Sequence, residues 1–299
     1  MARPLPFQTF RSMTQPPETR SLERRMGDWA RARLPYALAE LAMFMLKQGW
    51  ACLFGGLLLA AIIGTKLVWQ PGWPVQRYDA LFLFAIATQA LFLWKKLETW
   101  EEARVILLFH LTGTAMEWFK VGAGSWAYPE AGIFKLMGVP LFSGFMYASV
   151  GSYMARVIRI FDMRFAPYPP FWTTLLLAAA IYVNFFAHHF LPDMRWLLFA
   201  ATLLVFGRTR IWFRIHDHDW WMPLPMAALL SSLALWLAEN VGTLTGTWLY
   251  SGQTPDRMVS FGKLGSWYLL LYVAFVTVTL VSRAALYPKG RPVQFSPRQ

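Results

Sequence analysis

Apolar residues in this chain fall into long runs: 48–69, 78–95, 105–121, 136–155, 171–189, 222–244 and 264–282 each hold few charges. About 20 helical residues, rising 1.5 Å each, cross a hydrocarbon core of about 30 Å, so each run predicts a transmembrane helix. An eighth run, 194–207, is shorter. The expected fold is therefore all-α, a polytopic membrane bundle of about eight transmembrane helices. Around it the pattern sets a basic cytoplasmic arm with an interfacial helix over 1–47, a transmembrane domain over 48–285 and a cytoplasmic tail over 286–299. The first run follows a basic, partly amphipathic arm of more than thirty residues and is itself about 22 long, so a retained anchor is expected rather than a cleaved signal peptide.

Composition agrees with a bilayer as solvent: 57% of the 299 residues are hydrophobic and only 15% charged, too apolar for an ordinary soluble domain. A formal net charge of +12 would suit nucleic acid only if the cations shared one face. Here they are scattered between the runs, which excludes nucleic acid as a partner. With eight crossings and an inner N-terminus, 21 of the 28 Lys and Arg residues fall on inner segments and 7 on outer ones. That bias follows the positive-inside rule and puts both termini of a multi-pass protein in the cytoplasm. The single Cys52 rules out an intrachain disulfide and is expected to be a packing residue.

Chemistry enters with a pattern that occurs twice. Glu117, Gly124, Trp126 and Tyr128 recur as Glu239, Gly246, Trp248 and Tyr250, and subtracting 117 from 239 or 128 from 250 gives the same offset of 122. Trp50 and Trp172 share that offset, while Gly138 to Arg159 and Gly262 to Arg283 are both 21 apart. Both glutamate runs point outward, which suggests a parallel four-plus-four duplication with halves of about 48–160 and 170–284. Counting from Val105 and Met222 sets Glu117 roughly 18 Å and Glu239 roughly 25 Å into a core of roughly 30 Å. A carboxylate at such depth is a functional candidate by default. Two of them in one poorly hydrated cavity cannot both ionise cheaply, which would leave an acid beside a base. The competing expectation is a structural hydrogen bond between helices.

Other polar groups are expected near the same surface. Asn184 and His188, four apart, share a helix face and join Glu117 and Glu239 as catalytic candidates, whereas His189 should point about 100° away. His188, His189 and Asp193 are weak metal candidates; no cofactor is expected, since adjacent helical histidines seldom share an ion. Trp126, Tyr128, Trp248, Tyr250, Asn240 and His110 are candidates for contacting substrate, against an interfacial aromatic belt as the alternative for the four aromatics. His110, Thr114 and Ser232 could make a deeper polar path. Pro140 predicts a bend in the fourth run, and Gly144, Ala148 and Ser152 form a small-residue packing face. His216, Asp217, His218 and Asp219, beside Arg208, Arg210 and Arg214, are expected to form a solvated loop.

The strings Glu117-Trp118, Gly124 through Glu130, Gly138 through Tyr147, Asn184 through Trp196 and Ala238-Glu239-Asn240 resemble the bacterial YoaT-like family of integral membrane proteins of unknown function. The resemblance implies a bacterial inner-membrane protein and no particular activity. More remotely, a doubled membrane glutamate followed by glycine and an aromatic turn is similar to lycopene cyclases and carotenoid hydratases, although the Pro-x-Glu-Glu string of the cyclases is missing. The expected function is acid/base chemistry on a lipid or isoprenoid, with a membrane lipid or apolar small molecule as partner. A proton-coupled small-solute transporter and a metal-dependent membrane hydrolase are the alternatives. Substrate and oligomeric state are left open.

Overall fold

The computed structural model describes residues 17–70, 72–215, 219–254 and 257–281. Among these the chain forms ten helices: α1 (Pro17–Arg33), α2 (Tyr36–Ala51), α3 (Leu53–Val68), α4 (Arg77–Trp94), α5 (Trp100–Gly122), α6 (Phe142–Ile160), α7 (Phe171–Ala187), α8 (Arg195–Phe206), α9 (Leu224–Leu244) and α10 (Phe261–Val281). Every predicted apolar run coincides with one of α3 to α10. The ends follow from local chemistry. Thr99 and Glu102 close a capping box at the start of α5, each side chain satisfying the other's backbone N–H. A proline opens α9, where its missing N–H is not needed.

Three expectations change. Length and composition let only α9 and α10 cross a membrane alone, with α2 and α3 as a third crossing if taken together; α8, at 12 residues, reaches only about 18 Å. The first run does not begin at 48, because α2 starts at Tyr36 and meets α3 at a bend of 71° beside Cys52. Nor is the fold purely helical. Short strands β1 (Trp126–Ala127), β2 (Lys135–Leu136), β3 (Val139–Pro140), β4 (Arg164–Ala166), β5 (Arg210–Arg214), β6 (Asp219–Pro223) and β7 (Leu249–Tyr250) join the helices. Pro140 therefore bends no helix; it ends β3, ahead of α6.

Strands β4, β5 and β6 make an antiparallel sheet, with Phe165 opposite Ile211 and Trp212 opposite Trp221. Of the expected solvated loop, Arg210, Arg214 and Asp219 lie on strands instead. Arg164 and Arg214 both bond Asp219, each at 2.9 Å. His216, Asp217 and His218 lie outside the described residues, as do the start of the basic arm (1–16) and the tail.

Packing is closest between α5 and α6. Methyl groups at Gly113 or Gly144 would overlap Tyr147 or Thr114 and His110, so small residues bring the two backbones together. At the start of α5 the pair is riveted by charge: Arg159 bonds Glu102 at 2.8 Å and Arg156 stands 3.5 Å from Glu98, all four side chains buried. Ser152 and Gln89 also donate to Glu98. The main core gathers Phe161, Ile181, Phe206 and Tyr272. A second, around Ile62, Tyr78, Leu81 and Phe142, includes Trp126 and Tyr128. The charged rivets and the glutamates occupy opposite ends of α5, since Glu117 is 17 residues beyond Trp100, about 25 Å along the helix.

Candidate functional site

Both glutamate helices end in the same way. Ala123, Gly124 and Ser125 donate to the carbonyls of Phe119, Val121 and Lys120; Thr245, Gly246 and Thr247, each 122 residues later, donate to Val241, Thr243 and Gly242. Gly124 and Gly246 adopt φ values of +71° and +65°, a left-handed turn that glycine makes without strain. The turns throw the two Gly-x-Trp-x-Tyr strings toward each other. As β1 and β7 they pair antiparallel, Trp126 opposite Tyr250 and Ala127 opposite Leu249. The aromatics are therefore no outward-facing belt: Trp126 and Tyr128 are buried.

They point instead at the carboxylates. Glu117 is 2% exposed and accepts from Trp126 Nε1 at 2.7 Å, Tyr128 OH at 2.9 Å and Tyr147 OH at 2.6 Å. Glu239, 6% exposed, accepts from Tyr250 OH and from Trp267 Nε1, the latter at 2.7 Å. Tyr250 stands to Glu239 as Tyr128 does to Glu117, but Trp248 does not repeat Trp126. The reason lies three residues after each glutamate. Gly242 corresponds to Lys120, and without a side chain there the Trp248 ring lies directly on α9, where a methyl would overlap it. Trp267 of α10 supplies the missing N–H.

Two cavities meet at this point. The larger, about 580 Å³, is bordered by Glu117, Glu239, Trp126, Tyr128, Tyr147, Trp248, Tyr250 and Trp267 at one end. It continues through Leu58, Val150, Leu235 and Ala227 to Phe44, Phe213 and Met222 beside the small sheet. Ala227 is 12 residues before Glu239 on α9, so this apolar space runs about 18 Å. Cys52 faces the cavity at the α2–α3 bend and is exposed there rather than packed. The smaller cavity, about 300 Å³, is polar, with Lys120, Lys263, Arg195, His188 and His189 among its walls. Trp126, Tyr147, Glu239, Tyr250 and Trp267 border both spaces; Glu117 borders only the larger.

The remaining candidates divide. His188 lines the polar cavity, its Nδ1 3.2 Å from the Asn184 carbonyl. His189 lines it too, against the expectation, because α7 stops at Ala187 and helical spacing no longer applies. Asn184 borders neither cavity: it donates to Asp193 at 3.1 Å and accepts from the Met194 N–H, fastening the turn before α8. Partial burial pushes the Asp193 carboxyl up, but hydrogen bonds from Asn184 and Arg195 more than offset this and hold it below the usual carboxylate range. Asn240 likewise spans from Trp236 O to Val259 N–H and closes the loop before α10. His110 packs on Phe145, with ring centres 4.4 Å apart. Thr114 and Ser232 bond carbonyls of their own helices, so no polar path joins them to the glutamates among the described residues. No group of three His, Cys, Asp or Glu side chains there could hold a metal ion; Asp193 and His189 are turned to Arg195 and Lys120.

Several contributors gave no signal in the sequence. Tyr147 and Trp267 reach the glutamates from the next helix in the chain, α6 and α10, 30 and 28 residues on. Arg77, 3% exposed, donates to Thr65, Glu130, Ile62 O and Thr247, while Tyr78 donates to Thr247 O at 2.7 Å. Asp79 accepts from the N–H groups of Ile133 and Phe134, each at 2.8 Å. The start of α4 thereby fixes both aromatic turns.

Fold and site define a mostly helical, apolar protein with paired buried carboxylates at the junction of an apolar and a cationic cavity. The chain belongs to the family described as "Protein of unknown function (DUF817)", whose model matches residues 40–275. It is also similar to the uncharacterized protein YoaT of Bacillus subtilis (strain 168), at 40% identity over 243 residues, 81% of this chain and 91% of that protein. No solved structure matches it significantly.

Proposed function

We propose that this is a multi-pass membrane enzyme that moves protons on a lipid or isoprenoid, with Glu239 and Glu117 as its acid/base pair. The observation that carries the proposal is the apolar cavity of about 580 Å³ that ends on both carboxylates. An apolar chain could lie in it with its reactive carbon beside Glu239. One carboxylic acid gives its proton to a double bond, and the other carboxylate, or His188 across the shared wall, removes one from the adjoining carbon, so no net proton is consumed. Glu239 is the more exposed of the two to both spaces and receives two donors where Glu117 receives three, which suits Glu239 to carry the proton and Glu117 to stabilise positive charge on the substrate.

Several features support a membrane setting with α3 to α10 as the embedded helices. Leu67, Leu204 and Leu244 face outward, the arginine-rich sheet adjoins the start of α9, and the glutamates lie towards the other end. The charge bias then puts the sheet in the cytoplasm of a bacterial cell. The matched helix caps and the pairing of Ala127 with Leu249, themselves 122 apart, are what an internal duplication about a local two-fold axis would produce. A second possibility, proton-coupled transport of a small solute, draws on the wall shared by the two cavities at Glu239.

The test is a comparison of total lipid extracts from a deletion strain carrying wild type, Glu239→Gln or Glu117→Gln. Glu239→Gln keeps the hydrogen-bonding shape but cannot release a proton, so its extract should match that of the deletion strain although the protein is folded and membrane-bound. Extracts that are the same with or without the wild-type gene, together with a change in solute uptake, would favour transport.

A further inference from the structure

The smaller cavity is notable for unbalanced charge. Lys120, Lys263, Arg195, His188, His189, Glu239, Tyr147 and Tyr250 are the titratable groups on its walls, accompanied by Ser125, Ser260 and Ser266. Arg195 is already paired with Asp193 at 2.6 Å and donates to Gly262 O. Glu239 is occupied by Tyr250 and Trp267. Among the described residues neither lysine is in contact with a carboxylate, although Glu239 attracts Lys263 and Asp193 attracts Lys120 at longer range. Lys120 is 2% exposed and spends two N–H groups on Phe185 O at 2.6 Å and His189 Nε2 at 2.9 Å, leaving a third. An ammonium can only donate, so His189 Nε2 accepts and the imidazole is neutral with its proton on Nδ1. The Lys263 ammonium lies over the ring of Tyr250 at 3.8 Å and of Trp126 at 5.6 Å, and makes no hydrogen bond or contact ion pair among the described residues.

Two ammonium groups held in a partly dry cavity without a contacting counter-charge are costly. A bound anion would remove that cost, and lysines acting as point charges with serine hydroxyls around them suit the tetrahedral oxygens of phosphate. The geometry points to a phosphate-type anion site between Lys120 and Lys263, completed by Ser125, Ser266 and the free edge of Arg195. It shares Trp126, Tyr147, Glu239, Tyr250 and Trp267 with the apolar cavity. A phosphorylated amphiphile would thus set its head here, its tail along α9 and the carbons between them beside Glu239. That last step rests on the proposed function; the anion site does not.

Purified full-length protein in nanodiscs is titrated with farnesyl diphosphate, farnesol and inorganic pyrophosphate, using wild type, Lys263→Gln and Lys263→Arg. The Lys263 side chain makes no hydrogen bond among the described residues, so the variants should fold, as a wild-type melting profile without ligand would show. Loss of one charge-assisted contact corresponds to roughly tenfold or more in affinity. Farnesyl diphosphate binding should weaken by that factor in Lys263→Gln and recover in Lys263→Arg, while farnesol binding is unchanged. Farnesyl diphosphate binding tighter than pyrophosphate identifies a lipid head as the ligand; equal affinities, both lost in Lys263→Gln, identify a free anion at the same site. Phosphate-bearing probes that bind no better than farnesol, or that bind Lys263→Gln as well as wild type, would overturn the site. Because binding is read without turnover, an inactive Glu239 would leave this result intact.

Discussion

Replacing Arg159 with leucine should destabilise the protein by about 3–5 kcal/mol, the cost of leaving a buried carboxylate without its partner. Arg159 bonds both oxygens of Glu102, at 2.8 and 3.3 Å, and both side chains are buried. Arg156 faces Glu98, donates to Trp50 O and attracts Glu102 without a hydrogen bond to it, so it offsets the loss only in part. Glu102 cannot simply be removed either, because its Oε2 accepts from the Thr99 N–H at 2.8 Å and starts α5. Glutamine at 102 would keep that cap without the charge. Arg159→Leu with Glu102→Gln should therefore recover most of the loss. Denaturant unfolding in detergent measures both; a single variant as stable as wild type would show that the pair does not hold α5 to α6.

Gly242→Ala should cost about 1–3 kcal/mol through overpacking, and its larger consequence is local. The added methyl overlaps the six-membered ring of Trp248, so the ring must leave α9. Trp248 belongs to the turn that delivers Tyr250 to Glu239, and the carboxylate then loses a donor as the cavity changes shape. Combining Gly242→Ala with Trp248→Leu removes the clash and should restore stability, a coupling that a double-mutant cycle reads directly. Tryptophan emission should shift in Gly242→Ala alone. Additive losses in the cycle would mean that the ring does not rest on Gly242.

The helices were legible because an uninterrupted apolar run has few alternatives in this composition, and all eight runs coincide with helices. The bend at Cys52 was not, since α2 and α3 are both apolar and no proline marks the break. Strands β4 to β6 were hidden by shortness and by tryptophans and arginines that suit a membrane-edge loop equally well. At the candidate site, the spacing of Glu117 and Glu239 pointed to carboxylates that do border one cavity. Their donors Tyr147 and Trp267 left no trace, because a hydrogen bond between separate helices has no spacing rule. Asn184 and Asn240 looked chemical by position, yet each ties down a turn. The contrast of Lys120 with Gly242 was present in the sequence, but its meaning needed the path of the Trp248 ring.

The claim on which the proposed function turns is that an apolar chain occupies the space beside Glu239. Photolabelling with a benzophenone-bearing isoprenoid, followed by mass spectrometry of the peptides, tests it most directly. Gly56→Phe is the control, because the cavity borders Gly56 and a Cβ there meets nothing within 4 Å. The predicted result is labelling of Leu58, Met146 and Leu235, suppressed in Gly56→Phe. Labelling confined to outward-facing residues such as Leu67 and Leu204, and unchanged in the variant, would contradict it.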